Sequence, residues 1–146
     1  MHVSSEPNQA NDQLRALQGA LDAAGLGSWQ LDILTGDIQR SSRHDEIFGE
    51  PSLGGRWTLQ HTLERVVAED QDLLAQSFAE AESTGAIDLE VRIRGGDEQI
   101  RWVHINGRTF YEAAAAVSMA GVIADVTERR AVETRLRLAQ IGRAFV

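Results

Sequence analysis

The sequence has no cysteine in its 146 residues. Disulfides, thiolate-bound metals and thiol photochemistry are therefore excluded, and the lack fits a reducing compartment. Long hydrophobic runs are also missing. No stretch approaches the roughly 20 apolar residues of a membrane span. Residues 1–12 have no apolar segment of the kind a signal peptide needs. Basic residues are in deficit, at 14 Lys+Arg against 22 Asp+Glu, for a net charge of -8. A nucleic-acid binder wants a basic face, and an anionic lipid surface attracts cations, so neither partner is expected. Catalytic signatures are missing too. There is no Gly-x-Ser-x-Gly elbow, no Walker loop, and no pair of histidines at zinc spacing. The chain is expected to be cytoplasmic, without direct membrane contact and without an active site of its own.

What is present describes one globular domain. Hydrophobic residues make up 42%, and the length suffices for a single core. Leu14, Leu17, Leu21 and Ala24 recur at three and four residues, which predicts an amphipathic helix. Asn11 or Asp12 would cap it, and Gly25 would stop it. Trp29, Leu31 and Ile33 alternate with polar residues as in a strand, and Thr35-Gly36-Asp37 marks a turn before a short return strand at Ile38. A helical turn is expected over 43–48, a loop over 51–55, and a helix carrying Leu59, Leu63, Val66 and Val67 on one face. A further helix over 70–83 groups Leu73, Leu74, Phe78 and Ala81, with Asp70 as its N-cap.

The clearest periodicity follows. Ile87, Leu89, Val91 and Ile93 alternate with Asp88, Glu90, Arg92 and Arg94, so one face is buried and the other is wet or ion-paired to a neighbour. Gly95-Gly96-Asp97 supplies positive-φ residues for a tight hairpin. Strands are expected over 100–111 and 117–126, joined by a loop at 112–116. Both carry apolar residues on both faces, as at Trp102 and Val103 and at Val122 and Ile123. Such a sheet needs cover on both sides, from helices on one and from the N-terminal helix or a partner subunit on the other. A polar helix over about 128–144 closes the chain. It ends mid-helix on Gly142-Arg143-Ala144-Phe145-Val146, as a piece of a longer protein would.

Several stretches resemble the PAS family of sensory modules in order and spacing. They are Gly27-Ser28-Trp29-Gln30-Leu31-Asp32, Thr35-Gly36-Asp37-Ile38, Ile47-Phe48-Gly49, Val67-Ala68-Glu69-Asp70, Arg101-Trp102-Val103 and Asp125-Val126-Thr127-Glu128-Arg129. Two positions depart from the family pattern. Val67-Ala68 stands where the family usually has His-Pro, and Glu98 stands where the hairpin usually has Gly. The resemblance implies an α+β fold: a PAS-like five-stranded antiparallel sheet with short helices on one face and flanking N- and C-terminal helices. The organisation it implies is a disordered lead-in over 1–9, the sensory domain with its flanking helix over 10–126, and a linker helix over 127–146. The implied function is sensing or relay in bacterial signal transduction, with a histidine kinase or cyclic-dinucleotide enzyme as the C-terminal output. The alternative is a ligand-free dimerisation scaffold, which suits an acidic domain with only 5% aromatics.

Candidate residues follow from both readings. Asp125, three residues before Glu128, predicts a capping-box start for the last helix. In the family, Asp125 and Thr127 would tie the final strand to the outgoing helix, with Trp102 beside them. Trp29, Phe48, Trp57, Phe78 and His104 are the candidates for lining a ligand pocket. His61 matches the position of haem-binding histidines in some PAS sensors but falls on the polar side of its helix, and His44 follows Arg43 in a polar turn. Both are expected at the surface. Adduct-forming flavin photosensing needs a cysteine and is excluded, so the cofactor is left unassigned. A homodimer is expected, along with a coiled coil built on Val132, Leu136 and Ala139 of the last helix.

Overall fold

The computed structural model describes residues 6–50 and 55–144. Along them run α1 (Glu6–Ala23), β1 (Gly27–Asp32), β2 (Ile38–Arg40), α2 (Ser42–Ile47), α3 (Leu59–Arg65), α4 (Ala68–Thr84), β3 (Ala86–Arg94), β4 (Ile100–Glu112), β5 (Ala115–Asp125) and α5 (Thr127–Ala144). The strands form one antiparallel sheet in the order β2-β1-β5-β4-β3. The α+β architecture of five strands with a helix at each end is the one expected.

Alternation sorts the sheet into two faces. On β3, Ile87, Val91 and Ile93 are buried while Asp88, Glu90 and Arg92 point away, and the strand pairs with β4 without a break from Ala86↔Arg108 to Arg94↔Ile100. Val103, Ile105, Met119, Ile123, Trp29 and Leu31 continue the inner face across the other strands. Helix α4 lays Leu74, Phe78 and Ala81 on it. Each such large apolar side chain contributes on the order of 1.5–3 kcal/mol when fully buried. Gly107 and Gly121 stand opposite each other on this face, and a Cβ on Gly107 would lie 2.7 Å from the Trp29 ring. The glycine there makes room for the indole, whose Nε1 donates to the Val122 carbonyl at 3.1 Å.

The outer face carries Ser28 and Gln30, then Ala120, Val122 and Ala124, then Trp102, His104 and Asn106. Leu14, Leu17 and Leu21 of α1 share a groove with Ser28, Gln30 and Ala120. The helix is loosely seated, since Leu14 is 64% and Leu17 59% exposed. The exposed edge of β3 is covered where Val66 bridges Ile93 and the Val67 N–H donates to the Arg92 carbonyl at 3.0 Å, which blocks edge-to-edge pairing.

Several local expectations are corrected. Helix α1 starts at Glu6, not after Asn11 or Asp12, and so takes in residues 6–9 of the expected lead-in; residues 1–5 lie outside the described residues. Pro7 falls in the first turn, where no intrahelical N–H is required. Most of the expected 51–55 loop also lies outside the described residues. Val66 and Val67 are extended and not helical, because the β3 edge claims their backbone. The hairpin after β3 takes its positive φ at Glu98 (66°), not at Gly95 or Gly96. The expected 112–116 loop is a two-residue turn in which Ala113 and Ala114 both have positive φ, at 47° and 67°. Asp70 does not cap α4, whose N-cap is Val67 without a side-chain bond.

Candidate functional site

The junction of β5 and α5 is held by a compact set of bonds to β4. The Val126 N–H donates to the Trp102 carbonyl at 2.8 Å. The Trp102 N–H donates back to Thr127 Oγ1 at 2.9 Å. Thr127 then gives both its N–H (3.0 Å) and its hydroxyl proton (2.6 Å) to Asp125 Oδ1. Asp125 therefore serves Thr127, two residues on, and not the expected capping-box partner Glu128. Arg101, which also pairs with Asp97, lies 3.9 Å from Asp125 Oδ2. The first residue of α5 is thus bonded to the strand beside the one it leaves. These bonds bring Asp125, Thr127 and the Trp102 backbone together at the start of α5.

A second set of contacts surrounds the Trp102 indole on the outer face. The Arg130 guanidinium carbon sits 3.6 Å from its ring centroid and that of Arg92 at 5.3 Å. Glu90, one pair along β3, accepts from Arg129 at 2.6 Å and from Arg130 at 2.7 Å. Arg92 in turn forks onto Asp70, with both bonds at 3.0 Å, and its backbone N–H donates to the same carboxylate at 2.8 Å. Hydrogen bonds from Arg92 hold the Asp70 carboxyl below the usual carboxylate range, and those from Arg130 and then Arg129 do the same for Glu90. Sequence reasoning missed the role of these residues. The signal was the Asp88-Glu90-Arg92-Arg94 row, acids then bases on the outward face of an edge strand.

The inner face holds a cavity of about 20 Å³ lined by Trp29, Phe48, Phe78, His44, Thr62 and Ile105, among others. That is room for about one water. Three of the five pocket candidates, Trp29, Phe48 and Phe78, line it. Trp57 stands behind Phe48 at 5.3 Å between centroids, with its Nε1 donating to Thr62 Oγ1 at 2.8 Å. His104 is a correction. The strand alternation that buries Val103 and Ile105 turns it to the opposite face, where its Nε2 meets Asp88 at 2.5 Å.

The other histidines divide. His61 is exposed as expected, and it caps α3: Thr58 Oγ1 accepts from the His61 N–H at 3.2 Å while His61 Nδ1 accepts from the Thr58 N–H at 3.0 Å. His44 is the opposite of its expectation, being only 3% exposed. Its backbone packs on Gly27, where a Cβ would come within 2.8 Å. Its ring lies on Phe48 at 4.7 Å, and Nδ1 meets Asp45 at 3.0 Å. Burial pushes the imidazole below its ordinary value, against the smaller opposing pull of Asp45. No group of three or more His, Asp or Glu among the described residues is placed to hold a metal ion. No helix among them is long and apolar enough to cross a membrane.

Comparison with known proteins agrees with this geometry. Residues 38–123, more than half of the chain, match the family described as the PAS fold. The chain belongs to the PAS family. A blue-light-activated histidine kinase of Brucella anthropi is 31% identical over 136 residues, covering 90% of this chain and 26% of that protein. The non-motile and phage-resistance protein of Caulobacter vibrioides is 28% identical over 133 residues, covering 88% of this chain and 16% of its own length. The chain therefore spans about a quarter or less of these relatives. Among solved structures, a sensory box histidine kinase/response regulator from Burkholderia thailandensis superposes with a TM-score of 0.76 at 25% identity, over 89% of this chain and 98% of that one. This is a PAS sensory domain of the kind found in signal-transduction proteins.

Proposed function

We propose that this PAS domain relays a conformational change from its sheet to α5, and through α5 to a C-terminal output domain. The observation that carries the reading is the double tie of Thr127 to the Trp102 backbone and to Asp125. A shift of β4 against β5 at this point cannot leave the first turn of α5 unmoved. The likeness to proteins named as histidine kinases supports a kinase as output, and a cyclic-dinucleotide enzyme is the other output compatible with the fold. On this reading catalysis belongs to the output domain. The sensory unit then runs from α1 through β5, and α5, Thr127–Ala144, is the linker helix. Exposed Leu14 and Leu17 on α1 suit a homodimer in the cytoplasm.

Any ligand must act within tight limits. A cavity the size of one water does not hold a flavin, and the chain has no cysteine for an adduct. The input is then a partner domain, or a small molecule that opens the core around Trp29 and Phe78. The cavity volume also favours a second reading, a scaffold that dimerises without any ligand. Replacing Asp125 by Ala in the full-length protein separates the two. The relay reading expects output activity to change several-fold while stability falls by only about 1 kcal/mol, the usual worth of a lost cap. A large loss of stability with normal output would leave the scaffold standing.

A further inference from the structure

We propose that Asp70, Arg92, Trp102, Arg130 and Glu90 form one coupling chain that fixes the docking of α5 from the far side of the sheet. The chain is a route separate from the Asp125–Thr127 tie. It begins at the third residue of α4, on the cavity side, where the same helix packs Phe78 into the core. It rounds the outer edge of β3, beside the Val66–Val67 segment that covers it, through the Asp70 fork onto Arg92. It crosses to β4 where Arg92 approaches the Trp102 indole, and reaches α5 through Arg130 on the same ring. Glu90 closes it by accepting from Arg130 and Arg129 together.

Isolated surface ion pairs contribute little, and this arrangement differs from them. The Asp70 side chain is only 14% exposed and meets both the guanidinium and the backbone N–H of Arg92. Every basic residue in the sequence is arginine, the side chain that both forks onto carboxylates and stacks on indoles. Two guanidiniums approaching one ring repel each other unless each keeps its carboxylate. Loss of the Asp70 bond therefore frees Arg92, alters the charge at Trp102 and loosens Arg130. Asp70 is a positioning residue for α5 that never touches it.

The inference rests on the relay reading only for its consequence, because the docking of α5 can be measured in the chain alone. The measurement is amide exchange at residues 130–133, normalised to Val103 in the core, for Asp70→Asn, Glu90→Gln and the double variant. A single chain predicts about fivefold faster exchange for each variant and less than the product of the two for the double. Asp72→Asn, an exposed acid on the same helix outside the network, should change nothing. Unaltered α5 exchange in Asp70→Asn, or strictly multiplicative effects, would overturn the chain and leave two local ion pairs. If Asp70→Asn does not fold, Arg92→Lys keeps the charge but withdraws the planar group, and the same acceleration is required of it. Asp125→Ala is read separately in the full-length protein. Normal output there with a loosened α5 here refutes the relay and keeps the chain, and the reverse refutes the chain and keeps the relay.

Discussion

His44 shows how one side chain can be misjudged from its neighbours in sequence. Arg43, Asp45 and Glu46 surround it, yet Gly27 lets α2 approach β1 so closely that the imidazole enters the core between Phe48 and Trp57. The groups facing it are Asp45 on its own helix and Arg40 on β2, which itself donates to Asp45 at 2.8 Å. Because burial lowers its proton affinity, the unfolded chain takes up this proton at higher pH than the folded one. The stability it supports is complete above the ordinary value of 6.5 and is lost progressively as pH falls from there toward the lower folded-state value. The melting temperature should drop between pH 7.5 and pH 5.5, and His44→Gln should flatten that drop. An equal slope in the variant would show that another group carries the acid sensitivity.

At the scale of elements, the β4–β5 turn has the wrong residues for its backbone. Two central residues at positive φ are the conformation that favours Asn-Gly, and here both are alanine. The left-handed region costs a residue with a Cβ roughly 1–2 kcal/mol. Replacing Ala113 by Asn and Ala114 by Gly should raise stability by about 1–2 kcal/mol without altering the sheet, measured by denaturant unfolding. No gain would mean that the turn relaxes in solution. The same turn explains a failure of legibility. An alanine run carries no turn signal, so a five-residue loop was the natural expectation, and the long strands on both sides imposed the tight reversal. Patterned elements were readable. The unbroken alternation of β3 gave its buried face directly, and the apolar spacing of α4 gave Leu74, Phe78 and Ala81 but wrongly included Leu73, which is exposed. The Asp125–Thr127–Trp102 junction was readable only through a family likeness, since no local rule bonds residue 127 to residue 102. The Glu90 and Asp70 networks were readable only as a face that is wet or ion-paired, because their partners depend on which strand forms the edge of the sheet.

For the whole molecule, the outer face is half finished. Helix α1 lies over β1 and β5 but leaves Leu14 and Leu17 mostly exposed, beside a groove of about 470 Å³. Helix α5 leaves Leu136 at 60% and Leu138 at 62% exposure. Two copies sharing these faces would cover both. Light scattering should find a dimer, and Leu14→Glu with Leu17→Glu should convert it to a folded monomer. A monomeric wild-type protein at high concentration would remove the homodimer from the account.

The central claim is that sheet and outgoing helix move as one because Thr127 is bonded to both. Thr127→Val in the full-length protein tests it most directly, since the side chain keeps its shape and loses only the oxygen that accepts from Trp102 and donates to Asp125. The account predicts an output set-point displaced by about tenfold, with a melting temperature lowered by only a few degrees, as the loss of roughly 1 kcal/mol from a domain this size implies. Output equal to wild type, with the variant folded and equally abundant, would contradict it.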